Sequence, residues 1–144
     1  MTELKQLSVF VENKTGRLVE ITGALAKSGV DIRALSIADT TDYGILRLIV
    51  NDPEKALESL KQSGMTVSLT TVIAVEIPDT PGALNNVVAI LSENGISIEY
   101  MYAFLNPTKS AACVILRVED NLKAAEVLND NGISLVDSEK LYEI

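Results

Sequence analysis

The chain has 144 residues, 47% of them hydrophobic, with 12 basic against 20 acidic side chains and a net charge of −8. That balance opposes a nucleic-acid interface, which needs a basic face, and an anionic membrane surface. There is no histidine and one cysteine, Cys113, so an intrachain disulfide, a zinc site and a histidine-based triad are excluded.

From the start, Leu7, Val9 and Val11 alternate with Ser8, Phe10 and Glu12, the period of a strand. Asn13-Lys14-Thr15-Gly16-Arg17 is a turn, after which Leu18, Ile21 and Leu25 lie at helical spacing and Gly29 marks the stop. Ile32 to Ala38 reads as a second strand, Asp39-Thr40-Thr41-Asp42 as a hairpin turn and Tyr43 to Val50 as a third strand. Asp52 and Pro53 are the cap and first residue of a second helix, with Ala56, Leu57 and Leu60 as its apolar face and Gly64 at its end. Met65 to Leu69 completes a strand, helix, strand, strand, helix, strand order.

The order then repeats. Ile73, Val75 and Ile77 alternate, and Asp79-Thr80-Pro81-Gly82 turns into a helix carrying Leu84, Val87, Val88 and Leu91, which Gly95 stops. Ile98 to Phe104 and Cys113 to Val118 are strands around a longer loop at Asn106-Pro107-Thr108-Lys109-Ser110. A helix from Asp120 to Asn131 and a last strand from Leu135, with a tail to Ile144, complete the copy. Gly16 matches Gly82 and Gly29 matches Gly95 at an offset of 66 residues, while Gly64 matches Gly132 at 68. The repeat sets the architecture.

The expected fold class is therefore α+β: two ferredoxin-like βαββαβ sandwiches, domain one at residues 1–70 and domain two at 71–144. Modules of roughly 70 residues bury only about 60% of their unfolded surface and are marginal alone. Only Thr70-Thr71 separates the copies, so they are expected to pack as a fixed intrachain pseudo-dimer with a cleft for a small ligand. Phe10, Ile49 and Ile115 put apolar groups on the helix-free faces, and a homodimer packing through sheet faces or edges would cover them. Cys113, in an apolar strand, is expected to be a buried structural thiol. Tyr100, Tyr102 and Phe104 suit packing in a core or dimer seam more than a ligand pocket. No leader and no long apolar run are visible, which points to a cytoplasmic protein.

Gly16 and Gly82 both follow a strand and open a helix, where glycine weakens helix propensity by about 1 kcal/mol. One account is a tight turn. The other is close backbone approach at a helix start whose free N–H groups and positive dipole end suit a carboxylate.

Asp79-Thr80-Pro81-Gly82-Ala83-Leu84, followed by Leu91, Gly95, Ile96, Ser97 and Ile98, resembles the opening of an ACT domain. Asn13-Lys14-Thr15-Gly16-Arg17-Leu18, with Leu25, Gly29, Val30, Asp31 and Ile32, is a looser copy, and the resemblance to a stand-alone tandem ACT protein covers essentially the whole chain. The resemblance implies a regulatory module that binds an amino acid where ACT domains meet and controls an enzyme of amino-acid metabolism. It implies ligand contacts at Asn13, Lys14, Gly16, Arg17, Leu18, Asp31 and Ile32 in the first copy. In the second it implies Asp79, Gly82, Ala83, Leu84, Asn85, Ser97 and Ile98. Backbone N–H groups at Gly16 or Gly82 would take the carboxylate, and Asn13, Asp79 or Asp31 the ammonium. Arg17 would hold a second acidic group, pair with Asp31 or stay solvated, and Asp79 serves equally as a turn or cap residue. Thr15 and Asn13 replace the proline and aspartate of the family turn, so one turn or both bind.

Other functions fit less well. An enzyme would need a nucleophile and base that the chain does not pair, a metal carrier of this fold would want a C-x-x-C turn, and an RNA binder would want a basic aromatic sheet face. No catalytic residue, metal or cofactor is therefore expected. A ligand-free assembly subunit stays open as the alternative.

Overall fold

The computed structural model describes residues 3–39, 42–106 and 110–143. The expected turn at Thr40-Thr41, the loop residues Pro107, Thr108 and Lys109, and the end of the expected tail at Ile144 lie outside the described residues. The chain divides into two compact units, Lys5–Thr70 with the chain end from Leu141, and Thr71–Lys140 with the first residues through Leu4.

In the first unit, strand β1 (Glu3–Glu12) leads to helix α1 (Arg17–Lys27), strands β2 (Ile32–Asp39) and β3 (Tyr43–Val50), helix α2 (Pro53–Gln62) and the first part of strand β4 (Thr66–Pro78). The strand order is β2-β3-β1-β4 and the β1–β3 and β2–β3 ladders are antiparallel. In the second unit the rest of β4 leads to helix α3 (Ala83–Glu93), strands β5 (Ile98–Asn106) and β6 (Ala111–Val118), helix α4 (Asn121–Asp130) and strand β7 (Ser134–Leu135). Its order is β5-β6-β4-β7, again antiparallel. Each unit is a ferredoxin-like βαββαβ fold, so the class is α+β.

Period-two strands and 3.6-period helices build the same core twice. Leu7, Val9 and Val11 of β1 pack with Ile21 and Leu25 of α1, and with Leu46, Leu48 and Val50 of β3. Ile73, Val75 and Ile77 meet Val87, Leu91, Val114, Leu116 and Val118 in the same places of the second unit. Leu18 and Leu84, expected on the buried helix faces, are instead 44% and 39% exposed. They sit in the first turn of their helices, where the chain has only just left the strand.

The ladders shift register between Ile32 and Ala34, and again between Ile98 and Tyr100. A bulge is thus duplicated with the fold. Ile49 and Ile115 are fully buried within the chain, while Phe10 stays 48% exposed and stacks on Tyr43 at 4.9 Å.

Two elements differ from the sequence expectation. The strands expected on either side of Thr70-Thr71 are one strand, β4. The last strand is only Ser134–Leu135, and a short helix, α5 (Ser138–Glu143), replaces the rest of it. Asp137 causes the change: its Oδ1 accepts the Glu139 N–H at 2.9 Å and caps the new turn. Leu141 is then fully buried, and Tyr142 joins the first unit by accepting the Lys5 N–H on its Oη (2.9 Å) and the Arg33 Nε–H on its carbonyl (3.3 Å). None of the described helices is long and apolar enough to cross a membrane.

Leu141→Ala is expected to lower stability by about 2–5 kcal/mol in urea denaturation, the cost of a buried leucine cavity. Cys113 is buried on the helix-free face, and that burial, with the nearby Glu76 charge, pushes its thiol up to about 12. Native protein at pH 8 is therefore expected to leave a thiol reagent unconsumed until it unfolds. The unfolded thiol ionises near about 8.5. The folded thiol resists, so this group's contribution is complete below that pH and is lost as pH rises toward the folded value.

Candidate functional site

The start of a helix leaves its first N–H groups without helical partners. α2 and α4 satisfy them from the sequence: Asp52 Oδ1 accepts the Lys55 N–H (3.2 Å) and Asp120 Oδ1 accepts the Lys123 N–H (3.1 Å). α1 and α3 do not. Their cap positions are Gly16 and Gly82, which have no side chain to accept.

Both glycines are left-handed, with φ of 94° and 88°. A Cβ added at either would meet nothing within 4 Å. Glycine is thus required by backbone conformation and not by crowding inside the chain. The space over the helix start is open. The Lys14 carbonyl takes the Arg17 N–H at 3.3 Å and the Gly16 carbonyl takes the Glu20 N–H at 3.1 Å. The N–H groups of Leu18 and Val19, in the first turn, have no acceptor within the helix and no side-chain cap.

A cavity of about 250 Å³ opens beside this turn in the first unit. Asn13, Lys14, Arg17 and Leu18 line it, four of the residues singled out in the sequence. Gly16 lies between them in the chain. The Asn13 N–H is held by the Asp42 carbonyl at 2.9 Å, which ties the turn to the start of β3. Val11, Ile37, Gly44 and Leu46 form the rest of the wall, and Glu12 stands at the rim. A second cavity of about 270 Å³ shares Val11, Glu12 and Arg17 with the first and continues past Glu20 and Tyr43 to Ser63 and Thr66.

Charge alternates along the turn. Lys14 Nζ lies 3.0 Å from Glu12 Oε2, and Arg17 Nη1 lies 3.0 Å from both carboxylate oxygens of Glu20. The Lys14 hydrogen bond holds the Glu12 carboxyl below its ordinary range, with the charges of Lys14 and Arg17 adding to it.

Asp31 and Ile32 are at the other end of the unit. Ile32 pairs with Val50, whereas the turn abuts Gly44, six strand residues or roughly 20 Å away. Arg17 therefore does not pair with Asp31: Arg17 is engaged by Glu20, and Asp31 by Arg33 at 2.9 Å. The Asp31 N–H also donates to the Asn51 Oδ1 at 2.9 Å, and Ile32 packs on the core.

In the second unit Asp79, Gly82, Leu84 and Asn85 are exposed at the start of α3, while Ala83 packs partly on the core. The Asp79 N–H donates to the Ser110 carbonyl at 3.2 Å, a turn role. Ser97 and Ile98 again fall at the far end, Ile98 opposite Val118. The stretch from Asp79 to Asn85 contains no lysine or arginine, unlike the first turn. Tyr100, Tyr102 and Phe104 share the helix-free face of β5 with Cys113 and Ile115 on β6. Among the described residues, no group of three or more metal-ligating side chains comes together.

Sequence reasoning missed Glu12, Val11, Ile37, Gly44 and Leu46 as cavity residues. Glu12 was legible as a carboxylate two residues before Lys14. Ile37 reaches the turn only through the β2–β3 register that sets it opposite Leu46, and nothing local announces that.

The chain matches the ACT domain pair family over residues 1–144, and it belongs to that family. No curated protein matches it. A protein of Bacteroides thetaiotaomicron with a solved structure is 43% identical, with 99% of this chain and 98% of that chain covered and a TM-score of 0.94. The ligand-free regulatory subunit of aspartate kinase from Thermus thermophilus shares the fold at 16% identity, covering 90% of this chain and 91% of that chain with a TM-score of 0.64. The corresponding Thermus flavus subunit is also 16% identical, covering 90% and 92%, with a TM-score of 0.62.

Gly16→Ala is expected to cost roughly 1–2 kcal/mol, because alanine must enter the left-handed region. Gly23→Ala, inside α1 with open space around it, is expected to add roughly 0.5–1 kcal/mol. Urea denaturation of the two variants should thus move in opposite directions, and equal shifts would contradict the conformational reading of Gly16.

Proposed function

We propose that this chain is an amino-acid sensor whose ligand is held at the start of α1, and that it regulates an enzyme of amino-acid metabolism in the cytoplasm. One observation carries the reading. The helix start left without a side-chain cap coincides with a cavity, two cations and a carboxylate in the first unit. The uncapped N–H groups, Lys14 and Arg17 suit the ligand carboxylate, and Glu12 suits its ammonium. The second turn offers the helix start without the cations, and Asp79 would face the carboxylate there with like charge. Membership of the ACT domain pair family supports the regulatory role. The Thermus fold relatives are by name subunits of an aspartate kinase, which supports a metabolic enzyme as the target.

A second reading, an assembly subunit acting through a homodimer, is favoured by a specific surface. That surface is Phe10, Tyr43 and Ile45, exposed on the helix-free face of β1 and β3; Leu35 and Ile37, on the edge strand β2, are exposed on the opposite face. Exposed apolar patches and unpaired edges are docking surfaces.

A thermal-shift screen with the twenty amino acids separates the two. A ligand at a hundred times its dissociation constant is expected to add about 2.7 kcal/mol of stability. No shift with any amino acid at millimolar concentration, from a chain that sediments as a dimer, would leave assembly as the function.

A further inference from the structure

The walls of the α1 cavity divide by chemistry. Its floor is apolar: Val11 and Leu46 are buried core residues, and Leu18 and Ile37 add half-exposed aliphatic surface above them. Gly44 lines the same wall without a side chain. All the charge is at the rim, on Glu12, Lys14 and Arg17. The volume, about 250 Å³, lies below the about 300–1,000 Å³ of sites for drug-sized ligands and suits a free amino acid.

We infer that the ligand is an amino acid with an uncharged aliphatic side chain, and that its ammonium and carboxylate insert into the Glu12–Lys14 ion pair. The inference rests on the sensor reading above and deepens it. A zwitterion carries both charges on one carbon, so it can replace each half of an ion pair at once. Glu12 accepts the ammonium. Lys14 and Arg17, with the N–H groups of Leu18 and Val19, donate to the carboxylate. The pair to be opened is well exposed on both sides, 66% at Lys14 and 45% at Glu12, so it is weakly held in water. The ligand side chain then points to the floor. A second charge there would give up part of its water against aliphatic side chains that offer no countercharge, which selects against acidic and basic amino acids.

Isothermal titration of the intact chain tests this. Leucine, isoleucine, valine and methionine are expected to bind, and aspartate and lysine at least about tenfold more weakly. Isocaproate has the carbon skeleton of leucine without the ammonium. Glu12→Gln is expected to weaken leucine about tenfold or more and to leave isocaproate no weaker than with the unaltered chain. Ile37→Asp changes an exposed floor residue, so circular dichroism should be unchanged while leucine affinity falls about tenfold or more. Tighter binding of a charged amino acid, or undiminished leucine affinity in either variant, overturns this inference and leaves amino-acid sensing in place. No binding of any amino acid overturns both.

Discussion

The left-handed glycine at the strand-to-helix junction is the constraint on which the site depends. At φ of 94° and 88°, Gly16 and Gly82 turn the chain from β1 into α1 and from β4 into α3 within four residues. A glycine has no side chain to accept from the first N–H groups of the helix it caps. Glycine in place of a capping side chain costs only about a few tenths of a kcal/mol, and both units carry it in the same place while capping their other helix with aspartate. A local rule broken twice at equivalent positions marks a site more often than a defect. The uncapped N–H groups and the open space above the glycine are the direct consequence.

The two units share their core and differ at their turns. Leu25 and Leu91, Leu48 and Leu116, Ala56 and Ala124, and Leu60 and Leu128 occupy equivalent buried positions. Packing at native density tolerates few changes of volume there, so the repeat persists. The turn is exposed, and its side chains answer to whatever they touch. The first is Asn13-Lys14-Thr15-Gly16-Arg17, with cations beside an aliphatic cavity. The second has Asp79, whose backbone N–H donates to the Ser110 carbonyl. The duplicated backbone thus presents two different surfaces to a ligand.

Most of the fold was legible because it rests on local patterns. Alternation located β1 and β3, helical spacing located α1 and α3, and Asp52-Pro53 announced α2 by its cap. The chain end was misread because Leu135 looked like a strand start, while the Asp137 cap signal for α5 was overlooked. Leu18 and Leu84 look like core residues by spacing and are surface residues by geometry. At the site, the residues adjacent in sequence to Gly16 were found. Ile37, Gly44 and Leu46 were not, because strand register brings them there from elsewhere in the chain. Asp31 and Ile32 entered by resemblance to the family, and within the unit they lie at the opposite end from the turn.

The central claim is that an amino acid is held at the start of α1. Amide NMR of the chain titrated with leucine tests it most directly, because each N–H in that turn reports separately. The account predicts that the Leu18 and Val19 amides shift on saturation together with those of the Lys14-to-Arg17 turn, while the Leu84 and Asn85 amides of the second turn stay in place. Shifts confined to the second turn, or an unchanged spectrum at saturating leucine, would contradict it.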